Sequence, residues 1–400
     1  MFKSLFINFN ANNLIKFIVF WNLFIIIIYP ESLNIHPFYL PNKKPILVYD
    51  RSRVQTLIKG RNFLDNCLKI PNKKKYKYII KPKISVIIPL FNCEKTIKPT
   101  LRSIQNQNMS KTEILLINDF SSDNTSKIIN KISKNDKRIK VINNHKNMGT
   151  LFSRCIGALI AKGEYIFSLD NDDLYFDNDI FDYIYKKGKS ENLDIIGFLT
   201  VDTWNYTIQI SQMKDIYTYL YPDEFYLEQP ELSTWMIKFK NKFLVHNNMI
   251  WDKCIKTSVY KKSVNIFGIS RYSKFVSWAE DTSINFIIFN IAKNFKYIHK
   301  YGIFHFRSNS TASLRQSVDS KLYGEIFFFD ALFDFSKNDT ENKNLIIGQV
   351  FDIYKRYNIN KFNKDTNSHF LKFVLNKIIS NNYINKLNKR KIKKLFCSFF

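Results

Sequence analysis

Glycine and proline are scarce in this chain, with only 10 of each among 400 residues. Lys, Asn, Ile, Phe and Tyr are abundant instead, and these five share AT-rich codons where Gly and Pro use GC-rich ones. Genome composition therefore accounts for much of the lysine excess. Acidic residues are also few, 34 against 61 basic ones, for a net charge of +27. With a compositional origin for the lysines, a pI near 9.6 does not imply nucleic acid, and no nucleic acid partner is expected. Attraction to an anionic membrane surface or to a phosphate-bearing substrate suits the charge equally well. Cysteine is limited to Cys67, Cys93, Cys155, Cys254 and Cys397. None forms a CxxC and none has a histidine at ligand spacing, which excludes a structural zinc site; the odd count excludes a fully paired disulfide framework. The first strand is followed by "LFNCEKT", which has no glycine and so lacks the phosphate loop expected of a nucleotidyltransferase.

Long hydrophobic runs are nearly absent too. One stands out, Phe17 to Tyr29, broken only by Asn22, with Lys3 and Lys16 before it and Glu31 after. It is short for a bilayer span of about 20 residues, but counting from Leu14 and letting Lys16 snorkel lengthens it. No small-residue cleavage site follows. Residues 1–30 are read as a signal-anchor or a signal peptide, with the basic flank on the cytoplasmic side. The expectation is a single-pass membrane protein facing the Golgi or ER lumen; a secreted form and a cytoplasmic-face association are the alternatives. Asn205 and Asn338 are sequons for that lumen. Residues 31–80, polar and basic, read as a stem with a helix near 54–68.

What the chain does have is alternation. "ISVIIPL" (84–90), "EILLIND" (113–119), "IKVINN" (139–144), "EYIFSL" (164–169) and "LDIIGFLT" (193–200) are short apolar runs separated by segments with helical spacing. One of these, "MGTLFSRCIGALIAKG", is expected to be closed by Gly163. Continuous apolar strands alternating with helices predict an α/β fold, a mostly parallel sheet covered on both faces. In such sheets ligands bind beyond the carboxyl ends of the strands. Those ends read "PLFNCE", "NDFSSDNT" and "DNDD".

Helix capping accounts for part of "NDFSSDNT". The run Asp170, Asp172, Asp173 is harder to explain that way, because like charges at a buried strand end repel. A divalent cation removes the conflict, and carboxylate oxygens suit Mn2+ or Mg2+, which take substrate phosphates as further ligands. Asp119, acceptor-only, suits the N–H donors of a nucleobase. Together these predict a nucleotide-diphosphate site.

These residues resemble a family 2 glycosyltransferase of the GT-A fold. The resemblance rests on "SVIIPLFNCEKTIKPTLRSIQNQ", "NDFSSDNT" and "NMGTLFSRCIGALIAKGEYIFSLDNDD", then on "NNMIWDKCIKTSVYKKSV", "WAEDTSINF" and "YGIFHFRSNSTAS" in the family's order. It covers residues 81–315, the expected catalytic domain, with a Rossmann-like nucleotide-binding half. It implies a nucleotide-diphosphate sugar as donor and a glycan, lipid or protein hydroxyl as acceptor. By position it places Pro89, Asn92, Glu94 and Asp119 at the nucleoside, Arg154 near the nucleotide sugar, and Arg307 at the leaving diphosphate. Asp170 and Asp172 take the outer places of the DxD motif, with Asp172 the better metal ligand. Asp281 becomes the catalytic base of an inverting transfer, with Glu280 in support. His305, between aromatics in "FHF", is expected to pack. The chain departs from the family at Asn118, where an acid is usual, at Phe120, where Gly is common, and at Cys155. The Gln-x-x-Arg-Trp motif of processive synthases is absent, so one sugar is moved per reaction. The aromatic-rich stretch 200–245 is expected to shape the acceptor site. Residues 316–400 are expected to be helical and basic.

Overall fold

The computed structural model describes residues 46–47, 59, 62–63, 81–203, 219–220, 224–229, 238–239, 242–243, 249–306 and 317–336. The expected anchor, nearly all of the stem, most of the stretch from 204 to 248, Asn205, Arg307, Asn338 and the chain beyond 336 lie outside them. Among the described residues no helix is long and apolar enough to cross a membrane.

The first half alternates strand and helix as the apolar runs predict: β1 (Ile84–Leu90), α1 (Ile97–Gln105), β2 (Thr112–Asn118), α2 (Thr125–Asn135), β3 (Ile139–Asn143), α3 (Thr150–Ile160) and β4 (Tyr165–Ser168). All seven residues of β1 and of β2 are buried, which is why these strands read as unbroken apolar runs. Period-two alternation divides them between two cores. Ile87, Leu115, Ile117 and Ile166 face α3 on one side, while Val86, Ile88, Ile114, Leu116 and Phe167 face α1 and the next helix on the other.

The second half contains β5 (Leu174–Tyr175), α4 (Ile180–Ser190), β6 (Ile195–Thr203), β7 (Phe225–Glu228), β8 (Lys253–Lys256), α5 (Thr257–Phe267), α6 (Ile269–Tyr272), α7 (Glu280–Ile291), β9 (Asn294–Phe306) and α8 (Val318–Phe335). One nine-stranded sheet runs through both halves in the order β3-β2-β1-β4-β8-β6-β9-β5, with β7 also on β9. β1 to β4 pair in parallel, as does β6 with β9. β8 is antiparallel to both β4 and β6 and separates them. The fifth expected strand is therefore not the neighbour of the fourth.

Two details correct or explain the local reading. α3 stops at Ile160, and Gly163 is not its cap. A side-chain carbon at Gly163 would lie 2.5 Å from the backbone nitrogen of Ser85, so glycine is needed there for close approach to β1. Pro89, in a central strand, removes no ladder bond. Pairing of β1 with β4 ends at Ile87↔Ser168, and Pro89 faces that side one step beyond.

Candidate active site

The carboxyl ends of β1 and β2 continue into loops held together by side chains. Asn92, in the left-handed region at φ 47°, accepts from the Ser122 backbone N–H at 2.8 Å. Its own N–H donates to Ser121 Oγ at 3.1 Å. Glu94 accepts from both the backbone and side-chain nitrogens of Asn124, at 3.0 and 2.9 Å, and its N–H donates to Asp123. Asn118 bonds Ser126 and Asn143, each at 2.8 Å, so the amide in place of the family's acid ties β2 to α2 and β3.

Asp119 is buried and accepts three hydrogen bonds, from Asn144 Nδ2 at 2.7 Å, Met148 N at 2.8 Å and Gly149 N at 2.7 Å. It thereby holds the turn into α3, where Gly149 adopts φ 89°. A nucleobase donor would share a carboxylate that already serves three partners.

The acidic run after β4 divides into different tasks. Asn171 donates to the Pro89 carbonyl at 3.1 Å and accepts from Thr100 Oγ1 on its own carbonyl at 3.0 Å, locking the loop to β1 and α1. Asp173 is fully buried, accepts the Phe306 N–H at 3.0 Å and lies 3.0 Å from His305 Nδ1. Trp251 stacks on the His305 ring at 4.4 Å between centroids. His305 packs as expected, and it also bonds a carboxylate that the expected DxD reading leaves out. Asp172 is half-buried, and its carboxyl is pushed up to about 7 by burial and then by Asp173 and Asp170, with His305 pulling the other way.

Arg154, on α3, brings the two ends of the expected machinery together. Its side chain is 3% exposed; one terminal nitrogen lies 2.5 Å from Asp170 and the other bonds Asp281. Burial opposes its charge, but Asp281, Asp170 and Glu280 outweigh burial and hold the guanidinium firmly protonated. Asp281 and Glu280 open α7. Burial, Asp281 and Asp170 push Glu280 up to about 7, with Arg154 opposing. Asp281 is raised to about 6 by burial, moderated by Arg154, by the Ile250 N–H and by Lys253.

Asp170, Asp172, Arg154, Glu280 and Asp281 thus form one charged cluster. Pro89 touches it through Asn171. Asn92, Glu94 and Asp119 form the neighbouring loop scaffold. Several participants were not among the expected residues. Lys253, wholly buried in β8, bonds Asp252 at 2.6 Å and the Met249 carbonyl, which braces the turn whose Ile250 N–H meets Asp281. Tyr260 is buried with its hydroxyl beside Ser168, and its titration is pushed up chiefly by burial. The adjacent Asp252 and Lys253 at the head of an apolar strand were the one sequence signal for this layer; Tyr260 gave none.

Residues 85–265 match "Glycosyl transferase family 2". That stretch of the chain is a family 2 glycosyl transferase domain. It contains the DNDD loop and Arg154, and the acids of α7 follow it. Two curated relatives agree. The uncharacterized glycosyltransferase EpsJ of Bacillus subtilis is 27% identical over 233 residues, covering 57% of this chain and 62% of its own length. TarP of Staphylococcus aureus, a poly(ribitol-phosphate) beta-N-acetylglucosaminyltransferase, is 37% identical over 117 residues, covering 28% of this chain and 35% of its own. The matched region spans less than two thirds of either relative. The crystal structure of S. aureus TarS 1–349 in complex with UDP-GlcNAc superimposes with a TM-score of 0.53 over 77% of this chain and 83% of that one. At 15% identity this is a likeness of fold. The α/β arrangement is the one the strand pattern predicts, and its GT-A-like form is the one the family resemblance implies.

Proposed function

We propose that this protein is a metal-dependent, inverting glycosyltransferase that moves one sugar from a nucleotide-diphosphate sugar to a hydroxyl acceptor. The single observation that carries the reading is Arg154, bonded at once to Asp170 of the acidic loop and to Asp281 of α7. One guanidinium thus places the donor-side and acceptor-side carboxylates on opposite sides of a single side chain.

The roles follow from chemistry. Asp281, raised only to about 6, is ionised at neutral pH and serves as general base. It takes the acceptor O–H proton as that oxygen bonds to the anomeric carbon from the face opposite the nucleotide. The bond from the anomeric carbon to the diphosphate breaks, and the nucleoside diphosphate leaves with the electron pair. Glu280 orients the acceptor. Asn92 and Glu94 shape the nucleoside cradle with Pro89, Asp119 holds the 144–149 turn beside it, and Arg307 takes from the family resemblance the role of neutralising the leaving diphosphate.

The donor set fits a hard divalent cation. Three carboxylates fall within four residues, and Asp172 is raised by burial and by its neighbours Asp173 and Asp170. Among the described residues no three side chains form a ready metal cage. Asp172, with Asp170, would therefore hold Mn2+ or Mg2+ together with substrate phosphate oxygens, the usual mode for these ions. A bound cation would supply charge neutralisation for the diphosphate leaving group.

Support for a nucleotide-sugar donor comes from TarS, whose fold relative to this chain is given above and which was crystallised with UDP-GlcNAc. The test is a panel of nucleotide sugars with Mn2+, read by hydrolysis and by calorimetry. Asp172→Asn should abolish Mn2+-dependent nucleotide binding with an unchanged circular dichroism spectrum. Undiminished binding in that variant overturns the metal assignment, and binding without turnover of any sugar points to an inactive nucleotide-sugar-binding protein. The proposal includes a lumenal catalytic domain behind an N-terminal anchor, tested by protease protection of residues 81–400 in sealed microsomes.

A further inference from the structure

Among the described residues, three of the eight exposed large hydrophobic side chains fall within ten positions: Ile266 at 46%, Ile269 at 66% and Phe275 at 56%. The clustering has a structural origin. α5 turns Val259, Tyr260, Val264 and Phe267 into the core, which leaves Ser258, Lys262, Asn265 and Ile266 on its outer face. Gly268, at φ 84°, ends α5 and redirects the chain into α6. Ile269, Lys274 and Phe275 are then exposed along the turn that follows, while Tyr272 anchors it from within.

The charge on this surface has one sign. From Thr257 to Ala279 there is no Asp or Glu, and the basic residues are Lys261, Lys262, Arg271 and Lys274. Arg271 is committed to Asp334 on α8. Lys262 and Lys274 are exposed beside the isoleucines and the phenylalanine. Apolar side chains interleaved with lysines, without acids, complement a bilayer of anionic lipids: lysines meet the headgroups while the apolar side chains enter the acyl boundary. A second copy of this chain, carrying the same basic surface and a net charge of +27, would be repelled from it.

We infer that the surface from Lys262 to Phe275 docks on an anionic lipid bilayer. Its position gives the docking a use. The Phe275 ring lies against Gly149, 3.2 Å from the place a side-chain carbon would occupy, and Gly149 is the residue held by Asp119. The turn after Phe275 leads directly to Glu280 and Asp281 at the start of α7. Docking there sets the start of α7, with its two acids, close to the bilayer surface. The inference rests on the surface and stands apart from the assignment of glycosyl transfer.

The experiment uses the full chain, so contact must be read locally, apart from any binding by the N-terminal apolar run. Cys67 and Cys397 are changed to serine; Cys93, Cys155 and Cys254 are buried. A polarity-sensitive fluorophore is attached at Ile269→Cys or Phe275→Cys, with Tyr183→Cys, exposed on α4, as the control position. Vesicles of phosphatidylglycerol and phosphatidylcholine should brighten and blue-shift the dye at 269 and 275 but leave it unchanged at 183. Pure phosphatidylcholine should have a much weaker effect. Lys262→Glu combined with Lys274→Glu should lower the apparent vesicle affinity at the labelled site about 10-fold or more. An equal response at 183, or none at 269 and 275, overturns the inference. So does a dye already shielded from iodide before vesicles are added, which would show the chain covering its own surface, or a response that follows protein concentration alone, which would show a second copy.

Discussion

Carboxylates drawn out of solvent, fully or in part, occur at both ends of the same sheet, and they are treated in opposite ways. At the amino end, Glu113 is 3% exposed yet bonds Ser85 at 2.6 Å, Lys140 at 2.7 Å, the Gly163 N–H at 3.2 Å and the Lys162 N–H. Burial raises its carboxyl, but these partners overcome burial and hold it below the usual range. At the carboxyl end, Asp172, Glu280 and Asp281 are each raised by burial and by Asp170, with His305 opposing at Asp172 and Arg154 opposing at Glu280 and Asp281. The protein satisfies a structural carboxylate completely. It leaves three carboxylates of the candidate site above their usual range despite their partners, the state expected of groups that act on a substrate.

The largest test of that contrast is Arg154→Met. It leaves the half-buried Asp170 and Asp281 without their common cation, and a loss of up to about 3–5 kcal/mol in chemical denaturation is expected. A loss no greater than that of a surface arginine would show that the cluster is solvated by other means. Next is Asp281→Asn, which keeps the shape and removes the basicity. It should lower kcat by roughly 100-fold or more while donor affinity stays nearly constant. Near-normal turnover would exclude Asp281 as base, and collapsed donor binding would assign it to the metal side.

A paired measurement sharpens the comparison. Glu113, whose carboxyl is depressed, contributes stability above its unfolded value of 4.5 and loses it as pH falls through its folded value. Glu280, raised from 4.5 to about 7, behaves inversely: its contribution is fullest below 4.5 and is lost as pH rises to about 7. At pH 8, Glu113→Gln should destabilise by about 1–3 kcal/mol, whereas Glu280→Gln should stabilise by roughly 1–2 kcal/mol. The Glu280 effect should fade as pH falls from about 7 to 4.5, and the Glu113 effect only as pH falls below 4.5. Shifts of the same sign at pH 8 would remove the distinction between the two ends.

The smallest expected effect concerns strain in the loop after β2. Phe120 sits at φ 63°, a conformation disfavoured for any side chain, with its ring 59% exposed. Phe120→Gly should leave stability unchanged or raise it by about 1 kcal/mol or less, because relief of strain is partly offset by glycine's greater freedom when unfolded. A clear loss of stability would mean that the ring makes a contact in the folded state. A change in nucleotide affinity without a change in stability would place the ring at the ligand.

The legibility of this protein divides along the same sheet. β1 begins and ends where its apolar run does, at Ile84 and Leu90, and the runs of β2, β3 and β4 fall within a residue or two of the observed strands. Burial on both faces writes itself into a strand as uninterrupted hydrophobicity, so these elements needed no tertiary information. Acids at three separate strand ends were equally visible, because a polar cluster abutting an apolar run is a local pattern. β8 was not. Four residues, two of them lysines, carry little periodicity, and their place between β4 and β6 depends on pairing with strands distant in sequence.

By itself, then, the sequence determined the α/β alternation, the edge of the sheet where the chemistry gathers, and the residue types available there. Only the tertiary structure decided how the acids divide. Asp173 turns inward to His305 and the Phe306 N–H, while Asp170 turns to Arg154. Asp119 is taken up by the 144–149 turn, and Asp281 arrives beside Arg154 from 127 residues away. The physical reason is that a carboxylate's role is set by its count of donors and its depth of burial. Both are sums over neighbours that the chain brings together only when folded.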